Sequence, residues 1–241
     1  MAKKCENPRK NEALFCVLSD FFQGGRYFIP VKKCIFLSFF TKGGDIVLAV
    51  KKRQLYLKEA GYYDGEINGK MSSIRKPILE MKKDYAYAMS PKEVSTLYTQ
   101  NFNRLLVNDN RVRRHTNNFS LRADKKLLCQ CGGKYCNGAP TYLDEQLLIN
   151  LQRLRDKFGP VVITCGLRCS KYNKSLTGSV PNSGHVKGKA LDVYISGATD
   201  TEVGRKKVME FWKTLPGYKY TYCNIGGNHP NMGNAVHIEV K

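Results

Sequence analysis

The residues best suited to chemistry lie in two stretches near the end of the chain, SGHVKGKALDV at 183–193 and HIE at 237–239. His185 enters a tight turn at Gly188, and Asp192 follows seven residues later in a segment that alternates as a strand. Such a return brings an imidazole and a carboxylate to one point. A metal site that does chemistry needs three protein ligands and an open position, and His237 is the only other histidine in a strand-like segment. Side chains of like parity share a strand face. Asp192 therefore aligns with Ala190 and Tyr194, and His237 with Ala235 and Glu239. Leu191, Val193, Val236, Ile238 and Val240 then face a core. A polar row on otherwise apolar strands is costly unless satisfied, and a metal ion satisfies it.

A second cluster is Cys129, Cys131 and Cys136, in CQCGGKYCNG, whose spacing and glycine content suit a structural zinc. The fourth ligand would be Cys169 or Cys165. Alternatively, cysteines around a glycine turn are simply small buried residues. The chain has nine cysteines, and no stretch reads as a secretory signal. This predicts synthesis in a reducing cytoplasm, with thiols free or on metal rather than paired.

Elements must position these groups. LDEQLLINLQRLRDKF, 143–158, is an amphipathic helix stopped by Gly159-Pro160. VVIT at 161–164 reads as a buried strand, and ALDVYI at 190–195 and AVHIEV at 235–240 as antiparallel strands. A further helix runs from Thr201 to Leu215. The fold class is α+β: an antiparallel sheet with helices, beginning near Phe119. Upstream, VLAVKKRQLYLKEA and Ile74 to Tyr85 are helix-competent, with turn chemistry in GYYDGEING between them. Pro77 is expected to interrupt the second helix. Residues 91–118 read as a linker with a helical piece. Residues 1–46 lack sustained periodicity, either as an irregular extension or because the start was assigned too early. Their apolar runs at 13–18 and 34–40 are too short to cross a bilayer as helices.

The region from about Phe119 to the end resembles the zinc D-Ala-D-Ala carboxypeptidases and L-alanyl-D-glutamate endopeptidases, including phage endolysins. The matching residues are Thr164-Cys165-Gly166-Leu167-Arg168 (Thr-Ser-Gly-Tyr-Arg in the family), Asn173, Ser183-Gly184-His185, Gly188, Ala190, Asp192 and His237. The resemblance implies that His185, Asp192 and His237 hold zinc, with water at the fourth position. It implies substrate contacts from Arg168, Asn173 and Ser183, with Arg168 facing a carboxylate or developing oxyanion. Many members carry an acidic general base three positions before the last histidine, where this chain has Asn234. Glu239, two residues after His237, is the first candidate in its place; the alternative is a carboxylate that orients His237. His229 could reach the site from its loop. Residues 47–90 resemble a small three-helix peptidoglycan-binding domain, most clearly in GYYDGEING. They depart from that pattern at Lys70-Met71-Ser72-Ser73.

Charge bears on the partner. Forty Lys and Arg against 20 Asp and Glu give a net charge of +20. Nucleic acid, membrane surface and acidic wall polymers are all compatible with it. A nucleic-acid reading expects basic residues interleaved with aromatics on one surface, whereas here lysines run through the whole chain. The combined expectation is a monomeric peptidoglycan peptidase without stable membrane insertion. It would be of phage or prophage origin, made without a signal peptide and acting on the wall after release. The rival expectation is a peptidase-like module that binds wall without cutting it. The motifs leave the bond undetermined.

Overall fold

The computed structural model describes residues 40–42 and 45–241. The rest of the 1–46 segment, with both its apolar runs apart from Phe40, lies outside the described residues. Two compact units divide the chain at Ala49 and Val50. In the first, β1 (Phe40–Lys42) and β2 (Asp45–Val47) pair antiparallel, with Phe40 opposite Val47.

The second unit, Val50–Lys241, opens with four helices: α1 (Val50–Glu59), α2 (Arg75–Asp84), α3 (Pro91–Ser95) and α4 (Gln100–His115). The GYYDGEING loop follows α1. The fully buried Gln54 amide clamps this loop, donating to Asn68 Oδ1 at 3.0 Å and Ser73 Oγ at 2.9 Å and accepting from Gly69 N at 2.8 Å. Pro77 does not interrupt α2. It occupies the first helical turn, where no intrahelical N–H donor is required. Buried Lys82 ties α2 to α3, donating to the carbonyls of Glu93 and Thr96 at 2.8 and 2.7 Å and to Glu93 Oε1 at 3.1 Å.

The 91–118 segment supplies α3 and α4, and α4 packs against both α1 and α5 (Glu145–Phe158). Asp144 caps α5 by accepting from Gln146 N and Leu147 N, and Gly159 ends it at φ 94°. β3 (Val161–Cys165), α6 (Ser170–Lys174), α7 (Gly184–Lys187), β4 (Ala190–Ile195), α8 (Glu202–Lys213), β5 (Tyr218–Cys223) and β6 (Val236–Val240) follow. The fold is α+β. Its four-stranded sheet has the order β3-β4-β6-β5, and every neighbouring pair is antiparallel. Leu191, Val193, Val236 and Ile238 are fully buried. α5 and α8 pack on the sheet, and Trp212 of α8 is also fully buried, its indole N–H donating to Glu239 O at 3.4 Å. No helix of the described residues is long and apolar enough to cross a membrane.

Candidate metal centre and cleft

The sheet register assembles the site. Cys165 stands opposite Asp192, Asp192 opposite His237, and His237 opposite Tyr222. One row of side chains thus crosses all four strands, and strand parity puts it on the face away from Leu191, Val193, Val236 and Ile238. His185 comes to the row from α7. Gly184 and Gly188 make this approach feasible. A Cβ on Gly184 would lie 2.6 Å from Glu239 Oε1, and one on Gly188, at φ 73°, would lie 2.1 Å from Tyr142 O.

His185, Asp192 and His237 are all buried. Asp192 Oδ1 lies 2.7 Å from His237 Nδ1 and 3.5 Å from His185 Nε2. Burial pushes the Asp192 carboxyl up, but its bonds to His185 and His237 outweigh that and hold it well below the usual carboxylate range. His185 Nδ1 is 3.0 Å from Gly166 O. A carbonyl can only accept, so Nδ1 carries a proton, which leaves Nε2, on the Asp192 side, as the nitrogen to bind an ion. A metal-binding histidine needs this tautomer and this kind of outer partner.

Two nitrogens and one carboxylate oxygen suit zinc. Donors on a tetrahedral zinc stand roughly 3.3 Å apart for bonds of about 2.0–2.1 Å. The His185–Asp192 distance matches this. The shorter His237–Asp192 contact is a direct N–H···O bond that a metal would replace. Cys165 also brings its sulfur to the site, with Cys165, His185 and Asp192 offering ligand atoms within 4.8 Å of one another. Its thiol is pushed up to about 11, by burial and then by the Asp192 charge. Arg168 Nη2 donates to it at 2.7 Å, and it donates to Gln130 Oε1 at 3.0 Å. The thiol proton engaged with Gln130 would have to be given up for the sulfur to join a metal.

A cleft of about 600 Å³ opens over the row, lined by Thr164, Cys165, Arg168, Asp192, Tyr222 and Asn234 among others. Arg168 is half-buried, and its buried Nε has no partner among the described residues. Asn173 is buried, donates to Val180 O at 2.9 Å and accepts from Arg168 Nη1 at 3.5 Å, so it acts on Arg168. Ser183 caps α7, its Oγ accepting from His185 N at 3.3 Å. Glu239 lies behind His237: one oxygen is 3.7 Å from His237 Nε2 and the other 2.7 Å from Lys219 Nζ. Asn234 accepts from buried Arg205 at 3.0 Å. His229 is exposed, with its ring 4.8 Å from that of Tyr222.

Two participants escaped the sequence reading. Tyr222 stacks on His237 at 4.7 Å between ring centroids. The alternating tyrosines of YKYTYC signal its strand. Arg205 ties Asn234 to the carbonyls of Thr199 and Asn224, and nothing in the local sequence announces it.

Residues 121–221 match the family model described as Peptidase M15, which supports a zinc-dependent metallopeptidase over that segment. The match contains Arg168, His185 and Asp192 and ends before His237 and Glu239. No curated protein matches the chain.

Proposed function

We propose that this chain is a zinc-dependent peptidase of bacterial peptidoglycan, of the D-Ala-D-Ala carboxypeptidase or L-Ala-D-Glu endopeptidase type. The observation that carries the reading is the buried Asp192 carboxylate between His185 and His237, under a cleft that Arg168 lines. His185, Asp192 and His237 would hold the ion, which supplies Lewis-acid polarisation of a carbonyl and activation of water. Arg168 is fixed by Cys165 and Asn173 in the wall of the cleft, where its guanidinium would meet a substrate oxygen. Its guanidinium stays charged and can meet charge developing on that oxygen. Tyr222 stacks on the His237 ring and lines the same cleft.

The +20 charge suits an anionic wall. We assign residues 47–90 to wall contact on the GYYDGEING resemblance alone. An endolysin of phage or prophage origin, reaching the wall after release, is the setting that best combines these features.

A second reading, wall binding without cleavage, draws on one observation. Among the residues lining the cleft Asp192 is the only carboxylate, and position 234 is an asparagine engaged with Arg205. One assay separates the two. Purified peptidoglycan is incubated with the zinc-loaded chain, and the soluble fragments are analysed by mass spectrometry. Cleavage should produce fragments with a new amino end at one stem-peptide bond, which also identifies the bond. Tight sedimentation with the wall and intact stems would support the binding module instead.

A further inference from the structure

We propose that Cys129, Cys131, Cys136 and Cys169 form a second, structural zinc site that clamps the 129–138 loop to the turn carrying Arg168. Their four sulfurs lie within 4.8 Å of one another. Metal–sulfur bonds of about 2.3 Å in a tetrahedron set sulfurs roughly 3.8 Å apart, so these thiols need only small rotations to share one ion. The Cys131 and Cys136 sulfurs are 3.5 Å apart, whereas a disulfide requires about 2.05 Å. The fourth ligand is Cys169 rather than Cys165, because Cys165 faces His185 and Asp192.

The surroundings suit thiolates. Cys169 N donates to Cys129 Sγ at 3.1 Å, and Tyr172 N donates to Cys169 Sγ at 3.4 Å. These main-chain donors offset negative charge on sulfurs that are buried at Cys129 and Cys169. Gly132 and Gly133 turn the chain between Cys131 and Cys136 at φ 58° and 84°, a conformation that favours glycine.

The clamp joins three segments. Gly138 and Gly133 back onto Ala88 and Met89, where an added Cβ would lie 2.6 Å from Ala88 O and 2.9 Å from Met89 C. Gln130 N donates to Leu167 O at 3.1 Å, and Cys169 immediately follows Arg168. A tetrathiolate ion would therefore fix the helical region, the cysteine loop and the Arg168 turn together, independently of the His185–Asp192–His237 centre.

The experiment counts zinc in the full chain, purified under reducing conditions, for the wild type and His185→Ala. The expected result is two ions in the wild type and one in His185→Ala, the remaining ion being released by a mercurial thiol reagent. Cobalt(II) in His185→Ala should show intense thiolate charge-transfer absorption. That band should weaken when Cys169→Ser is added and persist when Cys165→Ser is added. His185→Ala without bound metal, dependence of the band on Cys165 instead of Cys169, or a Cys131–Cys136 disulfide in non-reducing peptide maps would each overturn the proposal. A chain that cuts no peptidoglycan but keeps the thiolate-held ion would leave it standing.

Discussion

On the proposed reading, Glu239 and Arg168 take different roles around the metal centre. The His237 contact, and then Lys219, hold the Glu239 carboxyl down at about 2 despite burial. A carboxylate that acidic is a weak proton acceptor near neutral pH, and its place behind His237 is that of an orienting group. Glu239→Gln should weaken zinc affinity by about 10- to 100-fold, measured by chelator competition, while keeping most turnover once zinc is saturating. Loss of roughly 100-fold or more at full zinc occupancy would make Glu239 the general base instead. Arg168 behaves in the opposite way. It ligates nothing, so Arg168→Ala should keep wild-type occupancy at the histidine centre and lose about 100- to 1,000-fold in turnover, as for a missing oxyanion donor. Arg168→Lys keeps the charge without the planar fork and should also slow cleavage. Normal turnover in Arg168→Ala would reduce it to a structural arginine.

At the scale of elements, β4 and β6 were legible because alternation is unambiguous where one face is apolar. Their parity alone places Asp192 beside His237, and the register puts those two residues directly opposite. α4 was harder to read. Its interior face includes Asn108, Asp109 and Asn110 as well as Leu105 and Leu106, so hydropathy disguises its burial. Asn108 is satisfied through Thr141 O at 2.9 Å and Leu143 N at 2.8 Å, partners more than 30 residues away. Such pairings have no local signature. The return of His185 depends on Gly188, and the close approach to Tyr142 O makes Gly188→Ala destabilising by about 1–3 kcal/mol. The sole tryptophan, buried Trp212, reports this directly as a lower urea midpoint in fluorescence. An unchanged midpoint would mean the turn relaxes freely. Lys82→Met tests the tie between α2 and α3. It strands buried Glu93 and two carbonyls, and should cost about 3–5 kcal/mol in the same measurement.

For the whole molecule, the compact unit Val50–Lys241 sets what can be removed. A chain starting at Val50 should fold and cleave as well per molecule as the full chain, because every member of the candidate site lies within it. A chain starting at Phe119 should not fold. It lacks α4, whose Phe102, Leu105, Leu106 and Val112 are fully buried and which packs on α5. Circular dichroism and gel filtration of the two truncations decide both points. The proposed function makes His185, Asp192 and His237 a peptide-cutting metal centre. Its most direct test is the rate of peptide-bond cleavage in purified peptidoglycan by the zinc-loaded full chain and by His185→Ala, both verified as folded by Trp212 fluorescence. Wild type should yield new amino ends at one stem-peptide bond, and His185→Ala none above background. Equal cleavage by the two proteins, or no cleavage by zinc-loaded wild type, would contradict it.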